Sequence, residues 1–309
     1  MRNTFANVIT DLASSDERVV LLSGDIGNRM FDEFKRRFPN RFYNCGVAEQ
    51  NMIGVAAGLA SSGLRPYVYT IAPFLVYRPF EQIRTDVCYQ DLPVVIAAVG
   101  AGLAYGELGP SHHSCEDIAA LRALPNLNIV CPGDSAELTA AMRDGLTEHH
   151  PTYLRLGKKG EPVVHGATPE NFQLGRALVL KSGSQGAIIS TGNMLPTAVD
   201  AARVLCNSGL DFEIVSMHTV KPLDVEYLET ASARFRLIVT VEEHSLIGGL
   251  GSAVAEWAVD RGLSGTRVLR LGTPDAFLKA TMEQEAAREW SGLAVSDVVA
   301  SIRTAFPSG

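Results

Sequence analysis

Strand-like and helix-like segments alternate along the 309 residues of this sequence, which predicts an α/β protein made of two doubly wound domains. Three observations carry that expectation. Short runs of Val, Ile and Leu recur at the length of buried strands. Segments with apolar residues at helical spacing separate them. One polar, aperiodic stretch, residues 157–173 (GKKGEPVVHGATPENFQ), interrupts the rhythm.

Residues 18–23 (RVVLLS) form the first predicted strand and run into Gly24-Asp25. A helix is predicted over 30–38, because Pro39 cannot continue it. A short strand at 41–44 precedes a helix of apolar and small residues at 49–60, which ends near Gly63. Strands at 66–71, 92–99 (LPVVIAAV) and 127–130 and helices at 77–89 and 135–147 complete the first half. In the second half, strands are expected at 187–191, 212–217 and 237–241, with helices at 195–205, 225–234 and 251–261. This alternation implies mostly parallel sheets covered on both faces. The expected division is a first domain at 1–160, a linker at 161–173 and a second domain at 174–309.

A net charge of −7 argues against nucleic acid as a partner, since phosphate binding needs a basic face. No apolar run reaches the ~18–20 residues that span a bilayer, and the first residues lack the apolar core of a signal peptide. Cys45, Cys88, Cys115, Cys131 and Cys206 are widely spaced, without a Cys-x-x-Cys pair. That pattern points to a reducing, cytoplasmic setting and to no zinc site or disulfide framework.

Three features could carry chemistry. Glu49 opens the 49–60 helix just after a strand. It is either a first-turn acid favoured by the helix dipole or a carboxyl group at the carboxyl edge of a parallel sheet, where ligands of such folds bind. Phe74, Tyr77 and Phe80 recur at i, i+3 and i+6, which suits either a core stripe or a wall for a flat ring. Residues 100–113 (GAGLAYGELGPSHH) follow a buried strand and form an irregular loop. Its adjacent histidines match no zinc spacing, so an active-site proton donor is the better-supported role.

The segments GVAEQNMIGVAAGLA, YTIAPFLVYRPFEQIRTDV and YGELGPSHHSCEDIAALRALPNL, in this order, resemble the pyrimidine-binding domain of the transketolase family. TGNMLPTA, SMHTVKPLD and VEEHSLIGGLGSAVAE are similar to the family's C-terminal domain. The resemblance implies thiamine diphosphate as cofactor, with Glu49 hydrogen-bonding the pyrimidine nitrogen N1′ and favouring the tautomer that deprotonates thiazolium C2. Phe74 and Tyr77 would pack on the pyrimidine, with Phe80 as a third aromatic and Val47 among the cofactor-binding residues. His112 would contact the sugar or relay protons, and Arg155 would grip a substrate phosphate.

Departures from the family pattern are equally informative. Leu108 stands where full-length transketolases carry Asp, and Gly100 where they carry a phosphate-binding His. The usual sugar-phosphate specificity is therefore open. The diphosphate and its Mg²⁺ are held in the family by Gly-Asp-Gly and a downstream Asn. Here Gly24-Asp25-Ile26-Gly27-Asn28 is the near match, and it departs in spacing. Asp25 then reads as a carboxylate near the pyrimidine or the subunit interface, or as a turn former. The Gly248-Gly249-Leu250-Gly251 loop is expected to serve close packing or a subunit contact rather than anion binding.

The implied assembly is a split transketolase, an α2β2 heterotetramer in which a separate subunit supplies the diphosphate and Mg²⁺ sites. A 2-oxo acid dehydrogenase beta subunit, a synthase resembling deoxyxylulose-phosphate synthase and a non-catalytic assembly subunit are the alternatives.

Overall fold

The computed structural model describes residues 1–27, 29–145, 149–158 and 160–306. Its strands are β1 (Val19–Ser23), β2 (Phe42–Asn44), β3 (Arg65–Ile71), β4 (Val95–Val99), β5 (Asn128–Val130), β6 (Thr152–Leu156), β7 (Leu178–Lys181), β8 (Gly186–Ser190), β9 (Phe212–Ser216), β10 (Thr219–Lys221), β11 (Leu237–Ser245) and β12 (Arg267–Thr273). They form two sheets, ordered β10-β5-β6-β4-β3-β1-β2 and β12-β11-β8-β9-β7. Among the described residues, only β10 against β5 and β7 against β9 pair antiparallel. Every residue of β1, β4, β6, β8, β9 and β11 is buried, as helices on both faces of a parallel sheet require. The α/β expectation of two wound sheets therefore holds.

Several elements differ from the sequence expectation. Helix α1 (Arg2–Ser15) has no recognisable cap, yet it buries Phe5, Ile9 and Leu12 along one face. β6 is hidden in the sequence by Arg155 inside a largely apolar run, and β12 by Arg267 and Arg270. The helix expected at 77–89 starts later, after Pro79, with a short α-helical piece at Phe80–Gln82 that continues into a wider-wound helix at Ile83–Cys88. The helix expected to reach Thr147 runs from Ser135 to Gly145, and Thr147 lies outside the described residues.

The two halves are joined by more than the polar stretch between them. β10, from the second half, adds an edge strand to the first sheet. The largest apolar cluster mixes Val20, Met52 and Leu121 with Val215, Ile238 and Leu250. Burial shared in this way leaves little room for relative motion.

The polar stretch is itself pinned. The backbone N–H groups of Val164 and His165 donate to Asp134 Oδ2 at 2.8 and 2.9 Å, and His165 Nδ1 lies 3.0 Å from the same oxygen. Burial pushes the Asp134 carboxyl up, but these hydrogen bonds outweigh it and hold it well below the usual carboxylate range. The bond to Asp134 raises His165 against burial, helped by Glu137. Asp134 therefore contributes stability above its unfolded pKa and loses it as the pH falls through its depressed folded value. His165 contributes below its unfolded pKa and loses that contribution as the pH rises through its elevated folded value. His165→Gln is expected to cost about 1 kcal/mol at pH 6 and less at pH 8.5. Thermal unfolding at both pH values checks this, and a deficit independent of pH refutes the charged clasp.

Candidate active site

β1 lies between β2 and β3, and the order of winding reverses there. At such a reversal the loops leaving the carboxyl ends part and open a crevice. Four loops reach this edge. The first turns at Asp25, in the left-handed region (φ 58°), where its carboxylate accepts from Asn44 Nδ2 at 2.9 Å. Asn44 Oδ1 in turn accepts the Gly46 N–H at 3.0 Å, and the Cys45 N–H donates to Ser23 O at 2.9 Å. Asp25 is thus a turn former that orders the approach to Glu49. Asn28 lies outside the described residues.

Glu49 is the first residue of α3 (Glu49–Ser61, following α2 at Asp32–Arg37). Ala48 offers no side-chain cap, so the dipole and free N–H groups of the first turn face an acid. Both readings of the residue meet here: Glu49 is a first-turn acid, and its side chain is only 4% exposed at the base of the crevice. It shares a recess with Val47, Ala48, Gln50, Asn51 and Arg78, and among the described residues it is the only carboxylate in that lining. Val47 is exposed at the rim.

The third loop continues β3 into α4 (Ala72–Tyr77). Half-buried Phe74 takes the Arg78 guanidinium over its ring, 4.3 Å from the centroid. Arg78 Nη1 also donates to both Glu49 oxygens at 3.1 and 3.2 Å. Tyr77 is partly exposed and its hydroxyl donates to Glu116 Oε2 at 3.0 Å. Phe80 departs from the expected wall. Pro79 starts a new turn, and Phe80 packs against the core cluster of Met52 and Ile83.

The glycine-rich loop closes over this wall. Gly102 and Ser114 bridge each other, with N···O distances of 3.0 and 2.8 Å. The His112 and Phe74 rings meet edge to face, with centroids 5.1 Å apart and planes at 73°. Its Nδ1 lies 3.0 Å from Ser111 Oγ. Burial lowers its pKa, so the imidazole is neutral at pH 7 and its ring nitrogens can exchange a hydrogen bond. The loop also accounts for Gly100. With φ at 89°, a Cβ there would sit 2.2 Å from the Tyr105 ring, so that aromatic fills the space a histidine side chain would need. Leu108 is exposed on the loop surface.

Arg155 corrects the expectation of a phosphate grip. It is 2% exposed at the centre of the first sheet. Its Nε and Nη2 donate to Asp117 at 2.8 and 3.1 Å, and Nη2 also reaches Ser114 O and Glu243 O at 2.8 and 3.1 Å. Tyr153 OH adds a bond to Asp117 at 2.6 Å. With these donors consumed inside the protein, Arg155 ties the glycine-rich loop to β11.

The loop opening the helix Leu250–Asp260 does hold an anion, but an internal one. Glu242 accepts the Leu250 and Gly251 N–H groups, both at 2.7 Å. Burial nevertheless pushes its carboxyl up to about 7. A Cβ at Gly249 would meet Glu242 Oε2 at 2.1 Å, so the glycine lets the loop approach that side chain closely.

Arg78 and Glu116 carry no signal of their own in the sequence. Both fall within the quoted motifs, but no spacing rule links Arg78 to Glu49, and only the sheet order brings them together.

Comparison with known proteins gives this geometry a lineage. Residues 1–161 match the family profile "Transketolase, pyrimidine binding domain", and residues 175–298 match "Transketolase, C-terminal domain". The chain belongs to the transketolase family. A putative transketolase C-terminal section from Methanocaldococcus jannaschii is 38% identical over 279 residues, covering 90% of this chain and 87% of that protein. One of the apulose-4-phosphate transketolase subunits of Phocaeicola vulgatus is 37% identical over 256 residues, covering 82% of each. A solved structure described as "Split gene transketolase, inactive beta4 tetramer" superposes with a TM-score of 0.89 at 38% identity, over 99% of this chain and 97% of that one. As a transketolase-family subunit of the split type, the chain is a transferase component whose family uses thiamine diphosphate.

The crevice suits the pyrimidine of that cofactor. A planar, N–H-bearing group, the Arg78 guanidinium, already lies on Phe74 and donates to Glu49. An aminopyrimidine presents the same combination of a flat face and edge nitrogens.

Proposed function

We propose that this chain supplies the pyrimidine half of a transketolase active site and transfers a two-carbon ketol unit between sugars or sugar phosphates. The observation that carries the reading is the buried Glu49 carboxylate, presented at a sheet crevice beside Phe74. Thiamine diphosphate, when bound, supplies the reactive carbon and stores the transferred fragment's electrons. The chain's own part is positional and protonic. Glu49 holds a proton between its carboxylate and the ring nitrogen N1′. Phe74 and Tyr77 fix the ring plane, and Val47 screens the rim from water. Asp25 acts indirectly, by ordering the loop before Glu49. Neutral His112, leaning on Phe74, exchanges a hydrogen bond with the substrate hydroxyl or carbonyl oxygen.

The proposed assembly is an α2β2 heterotetramer whose other subunit holds the diphosphate and Mg²⁺. The solved relative described as an inactive tetramer of beta chains supports dependence on a second subunit. A reducing, cytoplasmic setting fits the free cysteines. Because the Phocaeicola relative is named for a sugar phosphate, phosphorylated ketoses are the first donors to screen.

Calorimetry provides the test. The purified chain alone is expected to bind thiamine diphosphate weakly or not at all. Adding the diphosphate-binding subunit creates tight, Mg²⁺-dependent binding and ketol transfer. Tight Mg²⁺-dependent binding by this chain alone overturns the divided site.

A further inference from the structure

Arg78 stands where Glu49 and Phe74 meet. Its main-chain carbonyl accepts from Gln50 Nε2 at 3.2 Å, which fastens the backbone to α3. Its side chain is 48% exposed and has solvent to swing into. That side chain takes one carboxylate through Nη1 and one ring face through its guanidinium plane. These are the two surfaces that the pyrimidine needs under the function proposed above, on which this inference rests. One Phe74 face and one Glu49 carboxylate cannot serve both occupants together.

We propose that Arg78 is a displaceable counter-ion that fills the pyrimidine half-site of the cofactor-free chain and must release Glu49 for the cofactor to be activated. The chemistry sets the direction. Arg78 Nη1 holds both Glu49 oxygens, the atoms that a ring nitrogen would have to reach. The cation has to withdraw before that contact can form. In the empty chain Arg78 has a use, because a carboxylate buried without a partner destabilises its surroundings. The residue therefore protects the site before assembly and competes with the cofactor afterwards.

This dual role separates Arg78 from a purely structural residue. In Arg78→Gln the cofactor-free chain should unfold at a lower temperature. The assembled complex should nevertheless bind thiamine diphosphate more tightly, because a half-exposed ion pair and a cation–π contact no longer compete. Such contacts are modest, so the expected gain is about fivefold to tenfold in Kd. Arg78→Lys keeps the counter-charge without the planar ring contact and should fall between the two. The experiment is calorimetric titration of the assembled complex with thiamine diphosphate and Mg²⁺, alongside thermal unfolding of the free chain. Unchanged or weaker cofactor binding in Arg78→Gln overturns the displaceable counter-ion. If the wild-type complex takes up no thiamine diphosphate, or Glu49→Ala leaves C2 proton exchange intact, the functional reading beneath it falls instead.

Discussion

Glu49→Ala is expected to abolish C2 proton exchange of thiamine diphosphate in the assembled complex, a loss of about 10²–10⁴-fold or more. The size of the effect follows from isolation. Among the described residues Glu49 is the only carboxylate lining its recess, Glu116 is engaged by Tyr77, and Asp25 is engaged by Asn44. None of these neighbours is placed to substitute. Stability should change far less, because the variant removes a buried charge and leaves Arg78 with water to hydrate it. Glu49→Gln keeps a hydrogen bond to the ring but cannot take or give a proton in the same way, so it should also be severely slowed. Exchange measured by NMR at the wild-type rate in Glu49→Ala would remove the residue from its role.

The second large effect concerns folding. Arg155→Met should destabilise the chain by about 3–5 kcal/mol, since it leaves Asp117 as an uncompensated buried charge. The two side chains are 1% and 0% exposed and 2.8 Å apart. The same substitution strips donors from the Ser114 and Glu243 carbonyls, so it also loosens the join between the halves. Combining Arg155→Met with Asp117→Leu should recover part of the loss, because it removes the buried charge but leaves the Tyr153 hydroxyl and the two carbonyls without their partners. Denaturant titration measures both variants. A deficit below about 1 kcal/mol in the single variant would show that this pair does not hold the join.

Much of the architecture is legible in the sequence because β-branched runs and helical spacing are local signals. β1, β4, β8 and β9 can be read from a few consecutive residues. The strands that escape are those broken by a buried charge, as β6 is by Arg155, or lying at a sheet edge, as β7 and β12 do. β10 is too short to register, and only its pairing with β5 makes it a strand. The site divides in the same way. Glu49, Phe74, Tyr77 and His112 stand in recognisable motifs and do converge at one edge of the first sheet. Arg155 does not join them, because a sequence cannot reveal whether a basic residue faces a ligand or an internal acid. Phe80 leaves the wall because the proline before it turns the helix. Arg78 escapes notice because its partnership with Glu49 exists only across the fold.

The bridge between Gly102 and Ser114 has a consequence for how such an enzyme can change over time. Gly102 is pressed against β11, where a Cβ would meet Glu243 O at 2.6 Å, and Ser114 is held through its carbonyl by Arg155. Both ends of the loop are therefore anchored to buried structure, while Leu108 and Ser111 ride outside. Substitutions along the outer arc are therefore expected to leave the base beneath it undisturbed. Under the function proposed above, this arc is the part of the loop free to vary while its anchored ends stay fixed.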